Sequence, residues 1–496
     1  MLGDSKLGIW TPGVIALAMF GFHFWVVATG APEVFHFRGT HLLFSLVLIF
    51  LWHPLFAKAA KGKAILGGIV DCLFIAMSFG VIAYLFVEHD HVLTRFAYVD
   101  DLRPIELFFG IGIILVSLEA ARRTVGLALP ITALLFLFYG YFIAGLRPGE
   151  LIDQMYLTTE GIFGIPLNVS ATYMVLFIVF GSLVERSGTG KLFMDFAMAL
   201  AGGTAGGPAK VACMTSAMFG TISGSSTANV MTTGTFTIPL MRRIGYRPAF
   251  AGAVEAVAST GGQIMPPIMG AAAFVMAEFM AVSYLTVIGI AILPALLYFL
   301  AVFVAVHFEA KRVGLKGLPK PDLPEMGKVL RERGHQFLPL AVIMGVLIYG
   351  YSAPYAATAG LLSVIPVAML RKTTRATITV KLVIEALIVG IRNSLQVAAA
   401  CACSGIVIGV IALSGVGIEF TSFVINLSKD TLLLALILTA VAGIILGMGL
   451  PTTPAYIVQV ALLVPALIKL GVPLESAHMF VFYFAILSAI TPPVAI

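Results

Sequence analysis

The run Gly224-Ser225-Ser226-Thr227-Ala228-Asn229-Val230 sets four oxygen-bearing side chains, Ser225, Ser226, Thr227 and Asn229, inside an otherwise apolar stretch. A second run, Leu450-Pro451-Thr452-Thr453-Pro454-Ala455-Tyr456, sets Thr452 and Thr453 in similar surroundings. Both runs contain residues that break helices. Carbonyls freed by a break, with hydroxyl oxygens beside them, are good ligands for a small hard cation. The N–H groups that start the following half-helix attract a carboxylate. Glycines at 220, 224, 447 and 449 permit the turns and the close approach that such a site needs.

The two runs are related. Each is followed by a lone proline and then by a proline pair: Pro239 and Pro266-Pro267, Pro465 and Pro492-Pro493. The offset is constant (465 − 239 = 226; 492 − 266 = 226), and it carries Ser226 to Thr452, Thr227 to Thr453 and Gly245 to Gly471. Ser187-Gly188 answers Ser414-Gly415 at 227. This spacing predicts a duplicated unit with broken helices at matching positions, which points to a transporter's binding site. Unpaired backbone groups find no water in lipid, so both breaks must line a protein-walled or wet cavity. The proline pairs predict second breaks, at Gly261-Gly262 to Pro266 and at Thr491 to Pro493. Each hairpin tip is expected to meet such a break in a two-part cation cage. Acids inside spans are rare, and Glu255 is a candidate proton relay. Asp71, early in the third span, and Glu419, after the Gly417 break, are further candidates for such a relay, and Asp71 is rather expected to pair with a nearby loop lysine at the interface.

The elements that must position these residues follow from composition. Of 496 residues, 60% are hydrophobic and 11% charged, and the mean hydropathy is +1.04. Soluble chains carry about 25% charged residues. An all-α polytopic membrane protein is expected. The net charge of +6 sits mostly in short loops, which argues against nucleic acid as a partner. No cleavable signal pattern opens the chain, and 14–29 reads as a retained helix. Cys72, Cys213, Cys401 and Cys403 lie in apolar segments and read as packing residues. Gly190-Lys191 fails the nucleotide-loop pattern, and neither His-Glu-x-x-His nor a Gly-x-Ser-x-Gly elbow is present, so no enzyme is expected. His89 and His91 share a loop without cysteine support, which gives no reason to expect a metal other than a coupling ion.

A span needs about 20 apolar residues. Spans are expected at 14–30, 40–57, 65–87, 105–119, 127–145, 166–186, 248–281, 284–308, 336–351, 354–370, 394–413 and 475–490, with broken stretches at 205–241 and 431–470. Basic loops mark the cytoplasmic side. Lys58, Lys61 and Lys63, then Arg122 and Arg123, then Arg242 and Arg243 place the N-terminus in the cytoplasm, and the acidic loop 88–103 lies outside. The first broken stretch then starts and ends inside, as a re-entrant hairpin. Five spans later the second opens from outside, which inverts the two halves. Segments 191–203 and 376–393 suit helices lying along the interface, and 148–162 reads either as the first-half partner of the latter or as a cytoplasmic or periplasmic loop helix. The domains expected are a four-span region 1–126, a first repeat 127–310, a linker 311–335 and a second repeat 336–496.

The run from Phe219 to Asn229 resembles the first hairpin of tripartite ATP-independent periplasmic (TRAP) transporter permeases. The run from Gly447 to Tyr456 resembles their second. The likeness covers about 127–496. It implies an elevator-type, ion-transporter-like fold in a bacterial or archaeal inner membrane. It implies uptake of organic acids with Na+ or H+ as coupling ion and no other cofactor. The implied cation ligands are Gly224, Ser225, Ser226, Thr227, Asn229, Gly261, Gly262, Pro266, Gly449, Pro451, Thr452, Thr453 and Thr491, and the substrate carboxylates would meet Ser226, Thr227, Thr452 and Thr453. The four spans of 1–126 resemble a fused small subunit, as in permeases served by a TAXI-type periplasmic binding protein. In one departure, the first repeat runs two spans beyond Pro266 while the second stops at Ile496, so a counterpart of 268–308 is expected to be missing. A stand-alone divalent-anion and sodium symporter and a truncated, non-transporting membrane subunit are the alternatives.

Overall fold

The computed structural model describes residues 6–56, 61–375, 378–429 and 431–492. Lys58, Pro493 and Ile496 lie outside the described residues, and only the helical backbone of Lys61 and Lys63 is described. Among the described residues the secondary structure is helical, without strands. Eight of these helices are long and apolar enough to cross a membrane. The chain is a polytopic membrane protein.

The first four long helices are α1 (Lys6–Thr29), α2 (Val34–Trp52), α3 (Lys61–Val87) and α5 (Pro104–Thr124), with the short α4 (His89–Thr94) after α3. Glu33 caps α2 by accepting from the N–H groups of Phe35 and His36, which satisfies donors that the helix itself cannot. Small residues let α3 and α5 approach closely: a Cβ on Gly112 would stand 2.5 Å from Met77 Sδ, and one on Gly80 2.9 Å from Phe109. The side chains of the nearby loop lysines Lys58, Lys61 and Lys63 lie outside the described residues; among the described residues Asp71 has an arginine partner. It meets Arg123 of α5 at 2.6 Å, and Arg123 also reaches Glu119 at 2.7 Å and lies 4.8 Å from the Phe50 ring. A planar guanidinium can satisfy two carboxylates and a ring at once, which a lysine cannot. Two buried histidines were also missed in the sequence: His41 Nδ1 lies 3.1 Å from His23 Nε2, and His41 Nε2 lies 3.0 Å from Ser170 Oγ.

The chain continues through α6 (Ala128–Phe138), α7 (Pro148–Ile152), α8 (Ile165–Val169), α9 (Val175–Val184) and α10 (Gly190–Ala201). Single π turns at Ser170–Met174 and Glu185–Thr189 join the last three into one bent stretch. Gly188 makes the bend with φ 92°. Leu192 and Phe193 of α10 are buried, but Leu200 is 57% exposed, so its apolar face is narrower than expected.

Next come α11 (Gly207–Ser223), α12 (Ser226–Arg243), α13 (Pro248–Gly261), α14 (Ala271–Met280) and α15 (Tyr284–Val313). The 248–281 stretch is thus two helices. After them lie α16 (Met326–Arg333), α17 (Leu338–Ile348), α18 (Ala353–Met369) and α19 (Lys372–Arg375). The last group is α20 (Val380–Ser414), α21 (Val416–Ser428), α22 (Leu432–Gly447), α23 (Thr452–Lys469) and α24 (Leu474–Ser488). The separate interfacial helix expected at 376–393 is not seen, because α20 runs unbroken through it into the span at 394–413. No proline interrupts α20. Its glycines serve close packing instead: a Cβ on Gly390 would stand 2.6 Å from Val179 Cα, and one on Gly405 2.4 Å from Gly161 O.

The described chain forms two compact units, each discontinuous in sequence. One holds 1–175 and 391–488, and so the four-span region and the second hairpin; the other holds 176–390 and 489–496, with the first hairpin. Three pairs of left-handed glycines recur at nearly the same offset: Gly188 and Gly415, Gly224 and Gly449, Gly245 and Gly471.

Candidate functional site

The first hairpin is α11, a two-residue break and α12. Gly224 takes φ 59°, a left-handed conformation that costs an L side chain about 1–2 kcal/mol. Ser225 is extended, and its Oγ accepts from Ala228 N at 3.3 Å to cap α12. The break rests on the backbone of the segment between α13 and α14. A Cβ on Gly224 would stand 2.2 Å from Met269 O, and one on Gly270 would meet Gly224 O at 3.2 Å and Gln263 Cβ at 3.4 Å. Gly220 and Gly262 likewise meet backbone to backbone, at 2.2 Å from a Cβ on Gly220 to Gly262 Cα. The structure therefore brings Gly224 and Asn229 together with Gly262 and the loop after it. Gly261 points elsewhere, since its Cβ would strike Tyr298 of α15 at 2.2 Å. Pro266 lies in that loop, half-buried, and its peptide bond to Pro267 is cis. Ser225 and Thr227 are exposed, Ser226 is half-buried and Asn229 is buried. Beside the break, Gln263 Nε2 and Ser223 Oγ are buried without a hydrogen-bond partner, which leaves polar groups available to a ligand.

Below the break lies a polar string that the sequence reading reached only in part. Asn229 Nδ2 donates to Ser216 O at 2.8 Å, and Thr233 Oγ1 donates to Asn229 O at 2.8 Å. Glu255 is fully buried, and the hydroxyl oxygens of Thr233, Thr237, Ser216 (3.2 Å) and Ser259 (3.3 Å) lie within hydrogen-bonding distance of its carboxyl group. Each hydrogen bond to a charged group contributes about 1.5–3 kcal/mol, so hydroxyls that turn their protons from carbonyls one turn back toward Glu255 offset part of the several kcal/mol needed to bury a carboxylate. Asn229, Thr233 and Thr237 follow at steps of four, and Ser259 is four beyond Glu255. That spacing puts each set on one helix face and could have revealed the cage. Glu419 is exposed at the start of α21 and shares no such cage.

The second hairpin is α22, the break 448–451 and α23. Gly449 is left-handed at φ 76°, and extended Pro451 opens α23. Thr452 and Thr453 occupy the first turn, both buried at 8% exposure. A Cβ on Gly447 would stand 2.2 Å from Ser488 Oγ of α24. Gln459 is buried, donates to Gly443 O at 2.7 Å, and leaves its Oε1 without a partner. Tyr456 OH lies 2.7 Å from His478 Nδ1. Thr491 and Pro492 form a bend and turn after α24.

A family profile described as tripartite ATP-independent periplasmic transporter, DctM component, matches residues 112–496. The chain belongs to this family. The match starts earlier than the boundary near 127 that the hairpin motifs implied. The chain is 30% identical over 183 residues to a C4-dicarboxylate TRAP transporter large permease protein DctM of Pseudomonas aeruginosa, covering 37% of this chain and 42% of that one. It is 28% identical over 192 residues to a sialic acid TRAP transporter large permease protein SiaM of Vibrio cholerae, covering 39% and 44%. An isethionate TRAP transporter permease protein DctMQ of Oleidesulfovibrio alaskensis is 24% identical over 357 residues, covering 71% and 54%. The chain spans less than half the length of the first two relatives. These relatives are transporter permeases by name, not enzymes, in keeping with the absence of catalytic motifs.

Proposed function

We propose that this chain is the permease of a cation-coupled secondary transporter that imports small organic acids delivered by a periplasmic binding protein. The observation that carries the reading is the pair of helix breaks, at Gly224-Ser225 and at Met448 to Pro451, each set in an apolar hairpin and each followed by hydroxyl residues in the first turn of a helix. In lipid, such backbone persists only where ligands, water or protein satisfy it. The names of the relatives, which include C4-dicarboxylate, sialic acid and isethionate systems, support an organic-acid substrate.

A duplicated, inverted architecture is part of the proposal. Gly220 meets Gly262 in the first half and Gly447 meets Ser488 in the second, and 488 − 262 = 226, the offset of the proline pairs. An elevator movement of the hairpins, a cytoplasmic N-terminus and a TAXI-type binding protein complete it. The four helices ahead of the repeat, and a relative of the DctMQ type matched over 71% of this chain, support the fused arrangement.

We take Na+ as the coupling ion, held by Gly224 to Asn229 with the Gly262–Pro266 segment in one half, and by Gly449 to Thr453 with Thr491 in the other. The substrate carboxylate would meet Ser226, Thr227, Thr452 and Thr453 at the helix N-termini. Glu255 favours a second reading, proton coupling, because a buried carboxylate within a hydroxyl cage beside the break is able to take up and release a proton. Uptake into proteoliposomes under imposed Na+ or H+ gradients, with and without the binding protein, tests the proposal. Uptake that needs neither gradient nor binding protein would sink it.

A further inference from the structure

A second polar cluster lies outside the hairpins, at the junction of α2 with α3 and α4. Glu33 precedes α2, His36 lies in its first turn and His89 opens α4. Glu33 Oε2 is 3.0 Å from His36 Nδ1 and 3.2 Å from His89 Nε2. The ligand atoms of the three residues all lie within 4.8 Å of one another. Around a tetrahedral Zn2+ with bonds of about 2.0–2.1 Å, ligand atoms stand about 3.3 Å apart, close to the 3.0 and 3.2 Å that separate Glu33 Oε2 from the two ring nitrogens.

The cluster is held from several sides. The His36 ring stacks on Phe86 at 4.6 Å and neighbours the His89 ring at 4.8 Å. Gly39 lets α2 approach α3 here, since its Cβ would meet Phe86 at 3.3 Å. His89 Nε2 is buried and makes no well-aligned hydrogen bond, although the carboxylate is near. The neighbouring groups have partners of their own: His91 Nε2 meets Glu106 at 2.9 Å and Arg103 meets Glu88 at 3.0 Å.

We propose that Glu33, His36 and His89 bind one divalent transition-metal ion of the Zn2+ class. His36 Nδ1, His89 Nε2 and one Glu33 oxygen supply three ligands and water the fourth. The ion staples the turn between α1 and α2 to the start of α4. The site is not legible in the sequence, because the near neighbour of His89 there is His91, whereas its companions Glu33 and His36 lie more than fifty residues earlier, at the start of α2.

The test uses the full chain in lipid nanodiscs, stripped with chelator and titrated with Co2+, then with competing Zn2+. Wild type should bind one Co2+ per chain, show the visible absorption of a low-symmetry site, and melt at a higher temperature with Zn2+. His89→Ala and Glu33→Gln should each weaken binding by at least about tenfold, while His91→Ala should not. Metal-free melting of every variant shows that it is folded, and His36→Gln replaces any variant that is not. Absence of saturable binding, unchanged affinity in folded His89→Ala, or equal damage from His91→Ala overturns the proposal.

Discussion

Replacing Gly224 by alanine puts a methyl group at the point where the first hairpin turns. Two costs add. The residue sits at φ 59°, which penalises an L side chain by about 1–2 kcal/mol. The new Cβ would stand 2.2 Å from Met269 O, and overpacking of this kind costs about 1–3 kcal/mol. The obstructing atom belongs to backbone that is itself tethered. Gly270 N donates to Gln263 O at 2.7 Å, and the Tyr284 hydroxyl donates to Ile268 O. The segment cannot step aside cheaply, so a loss of about 2–5 kcal/mol is expected for Gly224→Ala. Two controls separate the terms. Gly30→Ala carries a positive φ of 95° but meets nothing within 4 Å, so only the backbone term applies. Gly252→Ala lies inside α13 with open space around it and should gain about 1 kcal/mol of helix propensity. Thermal unfolding of the full chain in nanodiscs should rank Gly252→Ala above wild type, then Gly30→Ala, then Gly224→Ala. If Gly224→Ala proves no worse than Gly30→Ala, the close packing of the break on the Met269 segment is wrong.

Three further outcomes follow from the geometry. Asp71→Asn removes one of the two carboxylates that hold Arg123, in a site where the two side chains are 10% and 4% exposed; with Glu119 still paired to the guanidinium, a loss of about 1.5–3 kcal/mol is expected. The double variant Asp71→Leu with Arg123→Met should recover most of it in the same unfolding assay. Glu255→Gln should keep Na+-driven uptake within about tenfold, equivalent to 1.4 kcal/mol, whereas complete loss in a folded protein would move the coupling role to the carboxylate. The Glu33 carboxyl has a folded pKa below its ordinary value of 4.5. Its contribution is therefore present above the unfolded pKa and is lost as pH falls through the folded one. In chelator, melting temperature should fall with acid below about pH 4.5 more steeply in wild type than in Glu33→Gln, and equal acid limbs would refute the assignment.

Much of the hairpin design was legible because glycine and proline punctuate helices. Gly224, Gly449 and Pro451 stand where the chain turns, and Pro266-Pro267 stands in the loop that splits 248–281. The continuity of α20 was not legible. Lys381 and Glu385 give its first turns an amphipathic look, and only packing shows that nothing interrupts the helix before Ser414. The Glu255 cage was half legible. The acid drew attention, but Thr233 and Thr237 also bond to carbonyls one turn back, as serines and threonines in apolar helices commonly do, so their service to Glu255 needed the fold. The Asp71–Arg123 pair was not legible because Arg123 lies far along the chain, on another helix, and the spacing of local lysines carries no information about that contact. Thr491 stays an expectation drawn from resemblance, with Pro493 beside it outside the described residues.

The central question is whether the two interruptions hold an ion. Equilibrium binding of radioactive Na+ to the full chain in lipid nanodiscs measures this without knowledge of the substrate. Saturable binding is predicted, with Ser226→Ala and Thr453→Ala each weakening it by about tenfold or more, which is the value of one lost oxygen ligand at 1.4 kcal/mol, at unchanged expression and melting temperature. A folded wild type that binds no Na+, or variants that bind it as tightly as wild type, would contradict the account.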